Sequence, residues 1–327
     1  MLRRFCTLSG CGMAFRAGLL VAMLILPLAL HGAQYPALDA AKACSAKNKT
    51  DEVQLAGVVF RTYSEPNDGA CLQVIRDGKV IFERTNDTGG LFTIGQAANK
   101  DWGWPAIANG TDITGRGHPD MIVSHYTGGA HCCTSDYVFE LEPVFRLLAT
   151  LDAEDSDGAY FSDLDHNHHY YYLANDWTFA YWRGSFADSP APAVTLGFAD
   201  NAKGGGYGLA LDKMERPAPT TAEWAKQVQE ARAAFTGDNQ FSGGIGSKLW
   251  GDMLDLIYTG HSDMAWKLFD GAWPGARVGK DQFLADFCSQ LKTSPYWPGL
   301  KEGIQSAPPV CSMAAPKNTV VETPASH

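Results

Sequence analysis

The sequence predicts a mainly β chain whose antiparallel strands form propeller-like repeats, followed by a small α-helical domain, which makes it a two-part α+β chain. Before Pro217, short runs of β-branched and aromatic residues alternate with clusters of Gly, Asn and Asp, which is the pattern of strands and turns. After Pro217, apolar residues recur at helical spacing. Two acidic turns begin 51 residues apart, at Asp112 and Asp163, and this spacing is close to the length of one four-stranded propeller blade.

The strand predictions in the first part depend on β-propensity and on the turn residues between the strands. Segment 70–84 carries Asp77-Gly78 between two apolar runs, and this dipeptide is a strong hairpin signal. No long helical pattern separates the strands, which favours an antiparallel all-β domain. The predicted strands cover residues 55–63, 70–84, 91–96, 120–126, 136–141, 145–151, 169–176, 178–184, 193–198 and 207–214.

The last third of the chain carries the signals of helix starts and stops. Thr220 and Glu223 match the capping-box pattern, and Ser247 and Ser262 are expected to cap the next two helices. A Ser-Pro step at 294–295 is expected to end a fourth helix. The predicted helices cover residues 224–235, 249–258, 263–269 and about 281–291.

The first 33 residues are predicted to be a cleaved secretory signal peptide. Arginines precede an uncharged run at 17–30, whose length suits a signal peptide and is too short for a membrane-spanning helix. Met13 offers an alternative start. We therefore expect an exported protein that is periplasmic or extracellular and does not span a membrane. The predicted organisation is a signal peptide at 1–33, a β-rich domain at 34–216, a helical domain at 217–311 and a disordered tail at 312–327.

The chain is acidic, and this limits its partners. Its formal net charge is −10 at pH 7, and loss of the three arginines of the signal peptide makes it −13 (−10 − 3). Binding to nucleic acid requires clustered Lys and Arg against the phosphates. Nucleic acid is therefore not expected as a partner.

Six cysteines remain after removal of the signal peptide. An even number in an exported protein favours disulfides, and six cysteines allow fifteen pairings. Pairs within one predicted domain are favoured, which gives Cys44–Cys71 and Cys288–Cys311 and leaves Cys132 and Cys133 for each other.

The first acidic turn carries a recognisable pattern. It reads Asp-Ile-Thr-Gly-Arg-Gly at 112–117, followed by Asp120 and the apolar residues 121–123. This arrangement resembles the FG-GAP or VCBS-like repeats of exported bacterial proteins, and segment 126–141, which contains YTGGAHCC, is similar to a segment of exported bacterial proteins with this repeat. The resemblance covers about 55–214 and implies a β-propeller-like fold. Roughly 160 residues hold three blades, whereas closed propellers typically have at least four, so a small ring and an open stack of sheets are both possible.

In such repeats the acidic turn often binds Ca²⁺, which is the cofactor that the resemblance implies. A tight Gly turn converges side-chain oxygens on a hard cation. Arg116 and Tyr171 replace one expected ligand in each turn. The alternative is an Asx-type turn, in which the Asp side chains bind their own backbone. The candidate metal ligands are Asp112, Thr114 and Asp120 in the first turn and Asp163, Asp165 and Asn167 in the second.

The loop after the predicted strand 120–126 is the candidate ligand-binding site. Two glycines allow a sharp loop, and two adjacent cysteines can close a strained ring that would make the loop rigid. The alternative is that each cysteine pairs elsewhere and the loop is structural. The candidate residues are Tyr126, Gly128, Gly129, His131, Cys132 and Cys133, and the expected partner is an unknown protein or glycan.

Histidines cluster near both acidic turns. A transition-metal site would require the two turns to be adjacent, and no fixed ligand spacing supports it; solvated turn histidines are the alternative. The histidines concerned are His118, His125, His131, His166, His168 and His169.

The leading functional prediction is a non-enzymatic binding or interaction protein of the cell envelope or periplasm, with Ca²⁺ as a candidate stabiliser. One alternative is a secreted hydrolase acting on carbohydrate or peptide through acids such as Asp163 and Asp165, because carboxylate pairs leave no sequence signature. Another is a structural envelope module. The sequence carries no metalloprotease helix, P-loop or dinucleotide motif. Gly260-His261-Ser262 begins like a nucleophile elbow, but it follows a helix, and Ser262 is better explained as a helix cap.

Overall fold

The computed structural model describes residues 44, 47–65, 69–87, 89–129, 133–155, 158–200, 205–235 and 244–312. In these residues the chain forms twelve β-strands followed by seven α-helices. Within the same ranges no helix is both long enough and apolar enough to cross a membrane. The predicted signal peptide, residues 1–33, lies outside the described residues.

Twelve strands form three separate four-stranded antiparallel sheets, each built from strands that are consecutive in the chain. The mainly antiparallel β composition predicted for the first part is therefore confirmed. The first sheet contains β1 (Asn48–Leu55), β2 (Val58–Ser64), β3 (Ala70–Arg76) and β4 (Lys79–Asn86). The second contains β5 (Leu91–Ile94), β6 (Asp120–Tyr126), β7 (Thr134–Glu140) and β8 (Arg146–Glu154). The third contains β9 (Tyr160–Ser162), β10 (Tyr171–Asn175), β11 (Ala193–Ala199) and β12 (Gly206–Leu209).

The predicted Asp-Gly hairpin connects β3 to β4. Asp77 and Gly78 have φ angles of 50° and 76°, and two left-handed residues are what a two-residue hairpin of type I′ requires. Arg76 pairs with Lys79 across the turn. The local turn signal therefore sets the register of this hairpin.

The second sheet lies between two hydrophobic clusters, because strand side chains alternate between the two faces of a sheet. On β6, Met121 and Val123 belong to a cluster shared with the first sheet. Ile122 between them belongs to a cluster shared with the third sheet and the helices. Phe139 and Val138 on β7 divide between the clusters in the same way. Sheets and helices are thereby joined through buried side chains.

The helices follow the third sheet, as the sequence predicts. Thr220 and Glu223 form both hydrogen bonds of a capping box at the start of the second helix. The third helix buries seven of its eleven residues, among them Trp250. The helices are α1 (Leu211–Met214), α2 (Thr221–Ala233), α3 (Lys248–Tyr258), α4 (Ser262–Ala272), α5 (Lys280–Leu291), α6 (Trp297–Gly303) and α7 (Pro309–Ser312).

Residues 178–184, predicted as a strand, form turns instead. Tyr181 and Arg183 have φ angles of 58° and 55°, which excludes extended backbone at both positions. The turns place the rings of Phe179 and Trp182 against α5. The strand prediction was wrong because aromatic residues are enriched in strands for their packing, and turns can bury them equally well.

Three further local predictions are corrected. Segment 207–214, predicted as one strand, is divided between β12 and α1. Ser262 does not cap α4, because its hydroxyl donates to the carbonyl oxygen of Gln305 at 3.3 Å and accepts the Gln305 N–H at 2.8 Å. Ser247 precedes α3 without forming a side-chain cap hydrogen bond.

The two disulfides that were favoured within domains are present. Cys44 is bonded to Cys71 with a Cα–Cα distance of 5.5 Å, and Cys288 is bonded to Cys311 with a distance of 5.1 Å. Cys133 is also disulfide-bonded, and its predicted partner Cys132 lies outside the described residues. Disulfides of this kind are typical of oxidising compartments.

Candidate functional site

The first acidic turn is closed by hydrogen bonds from its own backbone. Asp112 accepts the N–H of Arg116 at 3.0 Å and of Gly117 at 2.7 Å. One oxygen of the buried Asp120 accepts the N–H of Thr114 at 3.1 Å and its hydroxyl at 2.9 Å, together with the N–H of Ile113 at 3.0 Å. This is the Asx-type arrangement that the sequence left as an alternative to calcium.

The second acidic turn has the same backbone hydrogen bonds as the first. Asp163 accepts the N–H groups of the residues four and five positions later, at 3.1 and 2.9 Å, as Asp112 does. The third and fifth residues after each of these aspartates are left-handed, namely Gly115, Gly117, His166 and His168. The turns occupy the same place in their sheets, since each connects the first strand to the second.

The other predicted ligands of the second turn also have partners. Asp165 accepts the ammonium of Lys213 at 2.8 Å and the hydroxyl of Tyr171 at 2.9 Å. Both partners hold the pKa of Asp165 below its usual range. The side-chain oxygen of Asn167 accepts the N–H of His169 at 2.9 Å. Lys213 therefore supplies the positive charge at this turn.

The side chains as arranged do not fit a calcium ion. In the first turn, the guanidinium of Arg116 forms ion pairs with Glu140 and Asp200. The free oxygen of Asp120, Oδ1, is buried and has no hydrogen-bond partner among the described residues, and burial raises the pKa of this carboxyl to about 7. A calcium site needs six to eight oxygen ligands, whereas the carboxylate and amide oxygens of these turns, apart from Oδ1 of Asp120, already accept N–H or O–H groups. Calcium binding stays a prediction that chelation can test.

The two turns are adjacent, as a histidine metal site would require. The N–H of Tyr170 donates to the carbonyl oxygen of Ile113 at 3.3 Å, and a Cβ on Gly115 would lie 3.1 Å from Nδ1 of His169. Among the described residues, however, the only three His, Cys, Asp or Glu side chains with ligand atoms within 4.8 Å of one another are Cys44, Cys71 and Glu83. The two cysteines are bonded to each other, so no histidine metal site is formed there.

The candidate ligand loop is partly described. The hydroxyl of Tyr126 donates to the carbonyl oxygen of Gly129 at 2.7 Å, and the N–H of Cys133 donates to the hydroxyl of Thr127 at 2.8 Å. Gly128 has a φ of 89°, and a Cβ there would lie 2.9 Å from the backbone of a neighbouring loop. His131 and Cys132 lie outside the described residues. The described parts of this loop are therefore held by their own polar groups.

A cleft that no sequence pattern predicts lies where β8, β12 and the start of α6 meet. Its volume is about 440 Å³, which is within the range of small-molecule sites. The wall carries two acids, two tyrosines and two prolines, and no basic side chain. The lining residues are Thr150, Leu151, Asp152, Glu154, Leu196, Tyr207, Gly208, Leu209, Pro295, Tyr296, Pro298 and Gly299.

The two cleft acids are positioned by the end of β8. Glu154 has a left-handed φ of 51°, and its N–H donates to the carboxylate of Asp152 at 2.9 Å. The carboxylate of Glu154 accepts the N–H of Trp177 at 3.2 Å. Non-glycine residues with positive φ are uncommon, and they concentrate at functional sites. The strand end therefore fixes both acids next to each other.

A third carboxylate, Asp176, reinforces the negative charge next to the cleft. It is 1% exposed, and it accepts hydroxyl groups from Tyr258 and Ser294. Burial, followed by the charges of Asp176 and Asp152, raises the pKa of Glu154. Burial and the same three acids also raise the pKa of Tyr296, so this phenol stays neutral.

Comparison of the chain with protein-family models, curated proteins and solved structures finds no match.

Proposed function

We propose that the chain is an exported, non-enzymatic binding protein of the cell envelope or periplasm, which holds its ligand in the cleft between β8, β12 and α6. The observation that carries the proposal is the cleft itself, with its volume of about 440 Å³ and its mixed lining of acids, tyrosines and apolar residues. Binding sites typically combine such an apolar wall with a few placed polar groups.

Other features support the exported, repeat-containing character. Two disulfides are bonded within the chain, which suits an oxidising compartment. The proposed FG-GAP or VCBS-like relationship is supported by the shared geometry of the two acidic turns. Each sheet is a four-stranded antiparallel meander, which is the unit of a propeller blade. We propose a propeller-like stack of three such units.

A hydrolase acting on carbohydrate is the second candidate, and one observation favours it. The cleft holds two carboxyl groups, and the pKa of one of them, Glu154, is raised by burial and by neighbouring acids. Glycosidases use such pairs as acid and base. Asp163 and Asp165 are less suited to this role, because backbone N–H groups, Lys213 and Tyr171 already engage them.

A glycan array and a library of short peptides test the proposal. The wild-type chain is expected to bind a defined subset of one of them, and Thr150→Trp is expected to abolish this binding because Thr150 is exposed and lines the cleft. Val278→Trp is the matched control, since Val278 is 90% exposed and does not line the cleft.

Both variants should retain the wild-type circular dichroism spectrum. Binding that survives Thr150→Trp would place the ligand elsewhere and contradict the proposal. Release of cleaved glycan or peptide, detected by mass spectrometry and lost in Glu154→Gln, would favour the hydrolase instead.

A further inference from the structure

We propose that the ligand of this cleft is a small organic cation bearing a primary ammonium or guanidinium group. The inference rests on the proposed binding function and adds the chemical class of the ligand. It follows from the placement of two carboxylates and two phenol rings around one cavity, with no positive charge on the wall.

The two cleft acids have no counter-charge. Within the described part of the chain, Asp152 and Glu154 form no ion pair, whereas two other partly or fully buried acids do. Glu140 is paired with Arg116 and Arg146, and Asp286 is paired with Arg183. A cation in the cleft would supply the positive charge that arginine side chains supply to Glu140 and Asp286.

The neighbouring carboxylates make the negative charge of the cleft costly without a ligand. Asp176 lies close enough to raise the pKa of both Glu154 and Tyr296, and its own partners among the described residues are uncharged hydroxyl and N–H groups. Like charges that are crowded in this way disfavour the ionised state. A bound cation would relieve this repulsion and favour the ionised form of Glu154, which a neutral ligand would not do.

The size and lining of the cleft favour a small cation that is not metallic. About 440 Å³ is far more than a metal ion fills, and the described residues bring no three acid, histidine or cysteine ligands together at this place. Tyr207 and Tyr296 add aromatic surface, which attracts organic cations. Pro295, Pro298 and Leu209 offer contacts for the carbon chain of the ligand.

Titration calorimetry with matched probes tests the inference. Nα-acetyl-lysine amide and 1,5-diaminopentane provide an ammonium on a blocked amino acid and on a free diamine, and Nα-acetyl-arginine amide provides a guanidinium. Nα-acetyl-norleucine amide and Nα-acetyl-citrulline amide are the uncharged counterparts of the two blocked amino acids, because acetylation removes the α-ammonium. We expect the cations to bind at least about tenfold more tightly than the neutral probes, and we expect this difference to shrink in about 0.5 M salt.

Two variants test whether the carboxylates of Glu154 and Asp152 bind the cation. Glu154→Gln keeps an oxygen that can accept the Trp177 N–H, and Asp152→Asn keeps one for the Glu154 N–H, so each change removes charge while preserving the local hydrogen bond. Each is expected to weaken cation binding about tenfold. Asp77→Asn is the control, because it removes the same charge in the hairpin of the first sheet, where Asn also accepts a left-handed φ.

The outcomes separate the two proposals. Binding of neutral probes as tightly as cations, with no loss in Glu154→Gln or Asp152→Asn, would overturn the cationic ligand while leaving the cleft as a binding site. No cation binding at about 10 mM probe would also overturn the cationic ligand. The proposed function would then be judged by the array and the Thr150→Trp variant alone. Selective cation binding that both cleft variants weaken and Asp77→Asn retains would support both proposals.

Discussion

Replacing Asp136 with asparagine is expected to remove a pH-dependent part of the unfolding free energy. Asp136 lies on β7 and is 4% exposed. Its carboxylate accepts the hydroxyl of Ser124 in the same sheet and the hydroxyl of Tyr172 in the third sheet, the latter at 2.7 Å. Burial raises the pKa of this carboxyl to about 6, although both hydroxyls act in the opposite direction. The residue joins two sheets through a group that resists ionisation.

The sign and size of the effect follow from the two pKa values. The ordinary pKa of Asp is 3.8, so the folded state binds this proton more tightly than the unfolded state does. Stability from this group is fully present below about pH 4 and is lost as the pH rises to about 6. A difference of about two pKa units corresponds to about 3 kcal/mol. Asparagine keeps the size and an acceptor oxygen but does not titrate.

Urea unfolding of the wild type and Asp136→Asn between about pH 4 and pH 8 measures this pH-dependent contribution to the unfolding free energy. The free-energy difference between them is expected to change by about 3 kcal/mol over this range, in favour of the variant at high pH. Asp101→Asn, which removes an exposed carboxyl, controls for the loss of a charge. Tyr172→Phe is expected to move the pH window upward, because it removes a donor to the ionised form. A difference that is constant with pH would refute the reasoning.

Further predictions concern the turn at β5, the buried acid Asp176 and the acidic turns. Gly90→Ala should destabilise the fold far more than Gly89→Ala, which the midpoints of urea unfolding would show. Both glycines have positive φ. A Cβ on Gly90 would lie 2.0 Å from the carbonyl oxygen of Tyr126, whereas a Cβ on Gly89 would meet no atom within 4 Å. Equal losses would contradict this. Tyr258→Phe should cost about 1.5–3 kcal/mol in the same assay, because it removes a hydroxyl from the buried carboxylate of Asp176; no loss would show that this bond is not formed. EDTA followed by excess Ca²⁺ should leave the melting temperature unchanged in calorimetry, and a reversible shift would restore the calcium interpretation.

Sequence patterns predicted the features that are determined by residues close together in the chain. The Asp77-Gly78 hairpin and the capping box of Thr220 and Glu223 are both present, because neighbouring residues alone determine these geometries. The spacing of Asp112 and Asp163 also located two turns with the same backbone hydrogen bonds.

Features that depend on tertiary contacts were missed. Edge strand β1 is exposed at its first five residues and alternates only over its last three, and β9 has three residues, too few for a period. The cleft joins Glu154 at the end of β8 to Tyr296, which lies far along the chain before α6. Asp152 and Glu154 lie in an acidic stretch of the sequence, and such a stretch is typical of a solvent-exposed turn. Only the packing of α6 on β12, where Gly299 approaches Leu209, gives these acids a cavity to line.

The positive charges at the acidic turns belong to side chains of the protein itself, so they cannot leave by dissociation. Lys213 at Asp165 and Arg116 at Glu140 are tethered to the same chain as the carboxylates they neutralise. A free ion occupies such a turn only in proportion to its concentration in the medium, whereas a tethered one is present in every molecule. We therefore expect the shape of these turns to be insensitive to chelators and to the mineral content of the surroundings. We expect mutation of Lys213 or Arg116 to loosen these turns. High ionic strength should also weaken the more exposed pair, Lys213 with Asp165.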